Sequence, residues 1–198
     1  VRGGNLILDF STSAADTEAR IASGNALLMG RDNWRDAPAT LTVNGHATFD
    51  MTQTVASTNF RRGGNTIDVN SAGGAMNLAL GAITQGLGAT ANFQLPSNGS
   101  ITTSNADGFL GGWAVVEGGA FANVTSGAIG ALSSTVRNDI TTWMTGQDII
   151  NDAAYTGTLD CGIAIQSLAF DAAAASTVQV NGTLDVTSGG ILVTGNAG

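Results

Sequence analysis

Residues 92–116 read NFQLPSNGSITTSNADGFLGGWAVV. An alternating segment, Asn92-Phe93-Gln94-Leu95, runs into the turn pairs Pro96-Ser97 and Asn98-Gly99, then into the polar extended run 100–104. Asp107-Gly108 marks another turn, and alternation resumes after Leu110-Gly111-Gly112-Trp113. Strand, turn, strand, turn, strand is the grammar. Each strand has room for only a few inward side chains, so none forms a core alone. A stack of short strands that bury one another is expected.

The same grammar recurs outward in both directions. Toward the N-terminus, Leu6, Leu8 and Phe10 alternate, and Leu41 and Val43 precede Asn44-Gly45. Such a dipeptide favours a tight turn, but in a solenoid it bends the chain from one face of a coil to the next, so it does not by itself fix the pairing as hairpin or parallel. Toward the C-terminus, Val178, Val180, Leu184, Val186 and Ile191 keep an apolar face, with Asn181-Gly182 and Ser188-Gly189-Gly190 between strands. Two stretches read differently. Residues 14–25 read as a short helix or an irregular crossing. Residues 126–154 have near-helical spacing of Ile129, Leu132, Val136, Ile140 and Trp143, yet are filled with serine and threonine, and an irregular excursion with extended pieces is favoured. With coils of roughly 20 residues, nine or ten would stack at about 4.8 Å each.

Composition narrows the function classes. The 198 residues include 28 glycines, and only 11% are charged, whereas globular domains carry about a quarter. An apolar content of 43% separates the chain from disordered sequences, which lack the surface that offsets ordering entropy. All seven basic residues are arginines, and the net charge of −8 repels phosphate backbones, so nucleic acid is not an expected partner. Without lysine there is no Schiff-base chemistry and no phosphate-cradling lysine. Cys161 is the sole cysteine, so no internal disulfide forms; burial as a small hydrophobe is expected for it. No apolar run reaches the roughly 20 residues of a membrane-spanning helix. Val1-Arg2-Gly3-Gly4 opens in the middle of a pattern, and residues 1–198 are read as one solenoid module, a slice or repeat of something longer.

These residues carry a family resemblance. Residues 92–114, as NFxLPSxGSITTxxADGxLGGWA, and residues 151–198, with SLAFDxAAAxTVxVNGTLDVTSGGILVTGNxG, resemble the autotransporter-associated β-strand repeat proteins, as does the opening RGGNLILDF. These occur in long surface or secreted proteins of planctomycetes, verrucomicrobia and proteobacteria. The resemblance implies an all-β fold, a right-handed parallel β-helix with short irregular excursions, in a passenger or stalk outside the cell. It brings no catalytic residues and no cofactor. The chain departs from the pattern at Glu117-Gly118-Gly119-Ala120-Phe121, where relatives often place a second tryptophan.

Candidate chemistry is sparse. His46, the only histidine, follows a turn and lacks any nucleophile-elbow partner, so an exposed loop or strand position is expected. Asp32, Asn33 and Asp36 offer oxygen atoms, but Arg31 and Arg35 flank them and the spacing is not that of a calcium loop. A β-helix polysaccharide lyase or hydrolase needs carboxylates beside a basic group, for which Arg61, Arg62 and Asp68 are the nearest set. For glycan contact, Trp34 stands out among charges, with Trp143 a further candidate, while Trp113 reads as a core or coil-capping residue. The expected role is that of a non-enzymatic structural module of a bacterial surface fibre, with a glycan-binding adhesin as the alternative. An open coil exposes unpaired amides and carbonyls, so the expected partner is self. Leu6, Leu8 and Phe10 of one unit would meet Ile191 and Val193 of the next, head to tail.

Overall fold

The computed structural model describes residues 1, 3–16, 18–31 and 38–197. Two compact units divide the chain: residues 1–109 with 122–130, and residues 110–121 with 131–198. The first holds β1 (Gly4–Asp9), β2 (Ala26–Met29), β3 (Ala39–Asn44), β4 (Met51–Thr54), β5 (Ser57–Phe60), β6 (Gly63–Asn70), β7 (Met76–Ala79), β8 (Ala82–Gln85), β9 (Ala89–Gln94), β10 (Gly99–Thr102) and β11 (Gly108–Phe109). The first ten stack as three parallel ladders, β1-β3-β6-β9, β2-β5-β8 and β4-β7-β10. Each full coil visits the three in turn. This is a parallel β-solenoid, and the chain makes about 6 turns.

Register explains why the sequence alternates. Leu6, Leu41, Ile67 and Phe93 stand above one another, as do Leu8, Val43 and Val69, and these point into the core. Phe60 of β5 meets Phe93 of β9 edge to face, 5.8 Å between ring centres. On the outer face the ladders are polar: Asn70 Nδ2 donates to Asn44 Oδ1 at 3.3 Å and Ser100 Oγ to Asn77 Oδ1 at 3.0 Å. Between Thr42 and Asn5 the hydroxyl likewise donates at 3.3 Å.

Coil length departs from the 20 residues expected. Leu41, Ile67 and Phe93 follow at steps of 26, and Ser57 pairs with Ala82, 25 residues on. A three-sided coil needs three strands and three corners, which costs more chain than a two-strand unit, so the coils are fewer. Asn44-Gly45 and Asn98-Gly99 are such corners: each joins strands of different ladders, and neither is a hairpin. Gly99 sits at φ +116°, and a Cβ there would run into the carbonyl of Met76 in the coil beneath.

The second unit contains β12 (Ala114–Val116), part of β13 (Ala120–Thr125), the end of β14 (Ala128–Ala131), β15 (Thr135–Val136), β16 (Asp148–Asn151), β17 (Thr156–Leu159), β18 (Ile163–Phe170), β19 (Thr177–Val180) and β20 (Leu184–Val193). Ladders β15-β16-β18-β20 and β17-β19 are parallel. They enclose Ile140, Trp143, Ile149, Leu159, Ile165 and Leu168. The stretch 126–154 is extended pieces around one 3-10 turn, Ile140–Thr142, capped by Asp139, whose carboxylate accepts from the Thr141 amide at 2.9 Å.

Parallel stacking fails where the sequence leaves the repeat pattern. Val116 pairs with Ala120 and Val115 with Phe121 in an antiparallel hairpin, turned by Glu117 at φ 52° and Gly118 at φ 67°. The residues that stand in place of a second tryptophan are therefore a hairpin turn and its return strand. No helix among the described residues is long and apolar enough to cross a membrane.

Candidate functional site

The end-to-end contact expected from the sequence concerns two ladder edges, those of β1 and β20. In the first coil, no strand is found among the described residues between β1 and β2 on the side where later coils place β4 and β7; residues 10–16 and 18–25 pass there as bends and turns. Among the described residues this is the irregular crossing, without a helix. Gln53 of β4, fully buried, pins it: its Oε1 accepts from the amides of Arg20 and Ile21 at 2.9 and 3.1 Å, and its Nε2 donates to the carbonyls of Ile21 and Thr54 at 2.8 Å. Arg20 then spreads over the edge. Its guanidinium lies 5.0 Å from the centre of the Phe10 ring, donates to the Asp9 carbonyl and Ser13 Oγ, and pairs with Glu18 at 3.0 Å. Amide and hydroxyl bonds from Ser11 hold the Asp9 carboxyl below its ordinary range, and the Ala14 amide with Ser13 does the same for Glu18.

β20 is the edge strand of the second unit's ladder, with Gly190 packed against Gly112 and Phe121. Ile149, Leu168 and Ile191 stand in register, as do Asn151, Phe170 and Val193. Ile149, Leu168 and Asn151 are buried and Phe170 is half-buried, yet Ile191 is 60% and Val193 65% exposed. Val180, in register with buried Leu159, is also exposed. Beside Val193 opens a recess of about 200 Å³ lined by Phe170, Ala172, Ala174, Ser176 and Ala197.

The residues proposed for end-to-end contact thus have unlike settings. Ile191 and Val193 are exposed on an edge strand. Leu6 is half-buried on β1, the edge of its own ladder, whereas Leu8 and Phe10 are buried, Phe10 beneath Arg20. What β1 offers is its strand edge with Leu6 and the outward Ile7.

Other candidates fall as follows. Trp34, with the Asp32, Asn33 and Asp36 oxygen set, lies outside the described residues. Trp143 is buried, and its indole donates to the Arg137 carbonyl at 3.0 Å, so it is a core residue and not a sugar platform. Trp113 is half-buried against Gly111. His46 sits in the loop after β3, its Nδ1 accepting from the amides of Thr48 and Phe49 at 3.1 and 3.0 Å. Cys161 is exposed, contrary to expectation, because it falls in the corner between β17 and β18 and not on a strand. Asp68 accepts from Asn70 on the β6 outer face. The recess at Arg61 and Arg62 is lined, among the described residues, without a carboxylate. No three described His, Cys, Asp or Glu side chains converge as metal ligands.

Sequence reasoning missed the buried role of Gln53. In MTQT it reads as one polar residue among others, and only its inward register, above Leu78, gives it away.

Among curated proteins, the chain is 33% identical over 204 residues to the adhesin BmaC autotransporter of Brucella suis biovar 1 (strain 1330). The alignment takes in 94% of the chain and spans 6% of the length of that relative. No family model matches the chain. No solved structure matches it either. Stacked parallel coils, with this similarity along nearly the whole chain, bear out the resemblance to the autotransporter-associated β-strand repeat proteins.

Proposed function

We propose that the chain is a coil-stacking segment of a bacterial surface or extracellular passenger, with an adhesive role and no catalytic activity of its own. The relative's name, adhesin and autotransporter, supports the location and the adhesive role. The observation that carries the stacking role is the open register at β20. Ile191 continues a ladder whose inner members are buried and Val193 one whose inner members are buried or half-buried, and an edge strand with exposed inward residues is a template for one more coil. The occupant we assign is another solenoid coil of the same kind, presenting a strand edge such as that of β1. In the isolated chain the coil available is that of a second copy, and a head-to-tail contact of this kind propagates.

Multi-angle light scattering of the purified chain over a concentration series tests this. The expected result is a mass that rises with concentration and falls back to the monomer in an Ile191→Asp, Val193→Asp variant. A folded chain that stays monomeric throughout, or association that the double variant leaves intact, overturns it.

A further inference from the structure

Three of the seven basic residues of this acidic chain, Arg31, Arg61 and Arg62, meet in one recess of about 420 Å³ with Asn59, Gly86 and Leu87. The sequence separates Arg31 from the other two by a full coil; stacking brings them together. Arg31 bridges Arg62 in antiparallel fashion, its amide donating to the Arg62 carbonyl at 3.4 Å, and Arg61 donates its amide to Met29 at 2.7 Å. The backbone under the arginines is tightly fixed. Gly30, at φ +82°, comes so close that a Cβ would lie 2.7 Å from the carbonyl oxygens of both Arg61 and Arg62, and Asn65 Nδ2 donates to the Arg61 carbonyl at 3.0 Å.

Arg31 and Arg62 are half-buried, and neither forms an ion pair with a described carboxylate. Two guanidinium groups carried on paired segments repel each other, and partial desolvation strengthens that repulsion. An oxyanion placed between them relieves it. Guanidinium forks match the two oxygens of a carboxylate or the edge of a sulfate. Leu87, 87% exposed at the same recess, adds an apolar surface.

We propose that this recess binds the carboxylate or sulfate group of an acidic polysaccharide, with Arg31 and Arg62 on the anion and Leu87 against the sugar ring. An extended phosphate backbone fits less well, because the chain as a whole carries a net charge of −8. The site would give an adhesive surface a ligand, and to that extent it rests on the surface reading.

Titration calorimetry with hyaluronate, chondroitin sulfate, neutral dextran and single-stranded DNA tests it. Hyaluronate offers carboxylates alone and chondroitin sulfate adds sulfate esters, so the pair tells the two anions apart. Binding of one or both acidic polysaccharides, none of dextran, and weakening of about tenfold or more in Arg31→Gln and in Arg62→Gln are expected. Both variants should melt as the parent does, and Arg62→Lys should recover part of the affinity. The proposal is overturned if neither acidic polysaccharide binds, if the glutamine variants bind like the parent, or if single-stranded DNA binds equally well. Failure here leaves association through Ile191 and Val193 untouched, so it is distinguishable from failure of the stacking role.

Discussion

Ile191 stands in parallel register on Leu168, yet Leu168 is 3% exposed and Ile191 60%. The two residues occupy one ladder, and the difference between them is whether a coil lies on the far side. Leu168→Ala opens a cavity inside the second unit and should lower stability by about 3 kcal/mol. Ile191→Ala removes surface already in water and should cost under about 0.5 kcal/mol in the dilute monomer. Urea denaturation of both variants, followed by circular dichroism, checks the contrast.

Gln53 holds the irregular crossing with three hydrogen bonds, and Thr54 with a fourth, from a site without solvent. Gln53→Leu keeps the volume and leaves part-buried amides and carbonyls of residues 20, 21 and 54 without their partner. A loss of about 2–4 kcal/mol follows. Limited proteolysis should then cut first within residues 10–25, whereas the parent resists there.

The single tyrosine reports on the cap of the 3-10 turn. Tyr155 OH donates to Asp139 Oδ1 at 3.0 Å. Partial desolvation, then the hydrogen bond and the charge of Asp139, raise the phenol above its ordinary 10.0. Asp139 is lowered from 3.8, first by the Thr141 amide, then by the Thr141 hydroxyl and Tyr155. The Tyr155 contribution is therefore complete below pH 10 and is lost as pH rises through the folded value. The Asp139 contribution is present above 3.8 and is lost as pH falls through its own depressed value. Ultraviolet titration of tyrosinate should give a midpoint higher in the folded chain than in urea, and Asp139→Asn should bring it down.

Gly112 and Gly190 cross within the second unit so closely that a Cβ on Gly112 would lie 2.5 Å from the Gly190 Cα. Both neighbours are backbone and cannot swing aside. Gly112→Ala should cost about 3 kcal/mol, visible as a lower urea midpoint, while Gly119→Ala, where a Cβ meets nothing within 4 Å, should be close to neutral.

What the sequence made legible follows from periodicity. Alternation at Leu8-Phe10 and Leu41-Val43 named inward faces correctly, because a stacked strand buries every second residue. The corners were legible too, as Asn-Gly pairs. Coil length was not, since alternation says which residues point inward but not how many sides a coil has. Nor was the Arg31–Arg62 pairing, which depends on that length. Cys161 was misplaced because Leu159-Asp160-Cys161 alternates like a strand, although β17 ends at Leu159. The cover at Phe10 rests on one inward glutamine and one arginine, residue types that composition treats as surface.

The central claim is that the β20 edge is a stacking surface for another coil. Amide hydrogen exchange of the chain at low and high concentration tests it most directly. Added protection on association is expected at β20 and β1 alone, with the other strands of each unit unchanged. Protection that appears elsewhere, or a β20 edge that exchanges equally fast at both concentrations, would contradict it.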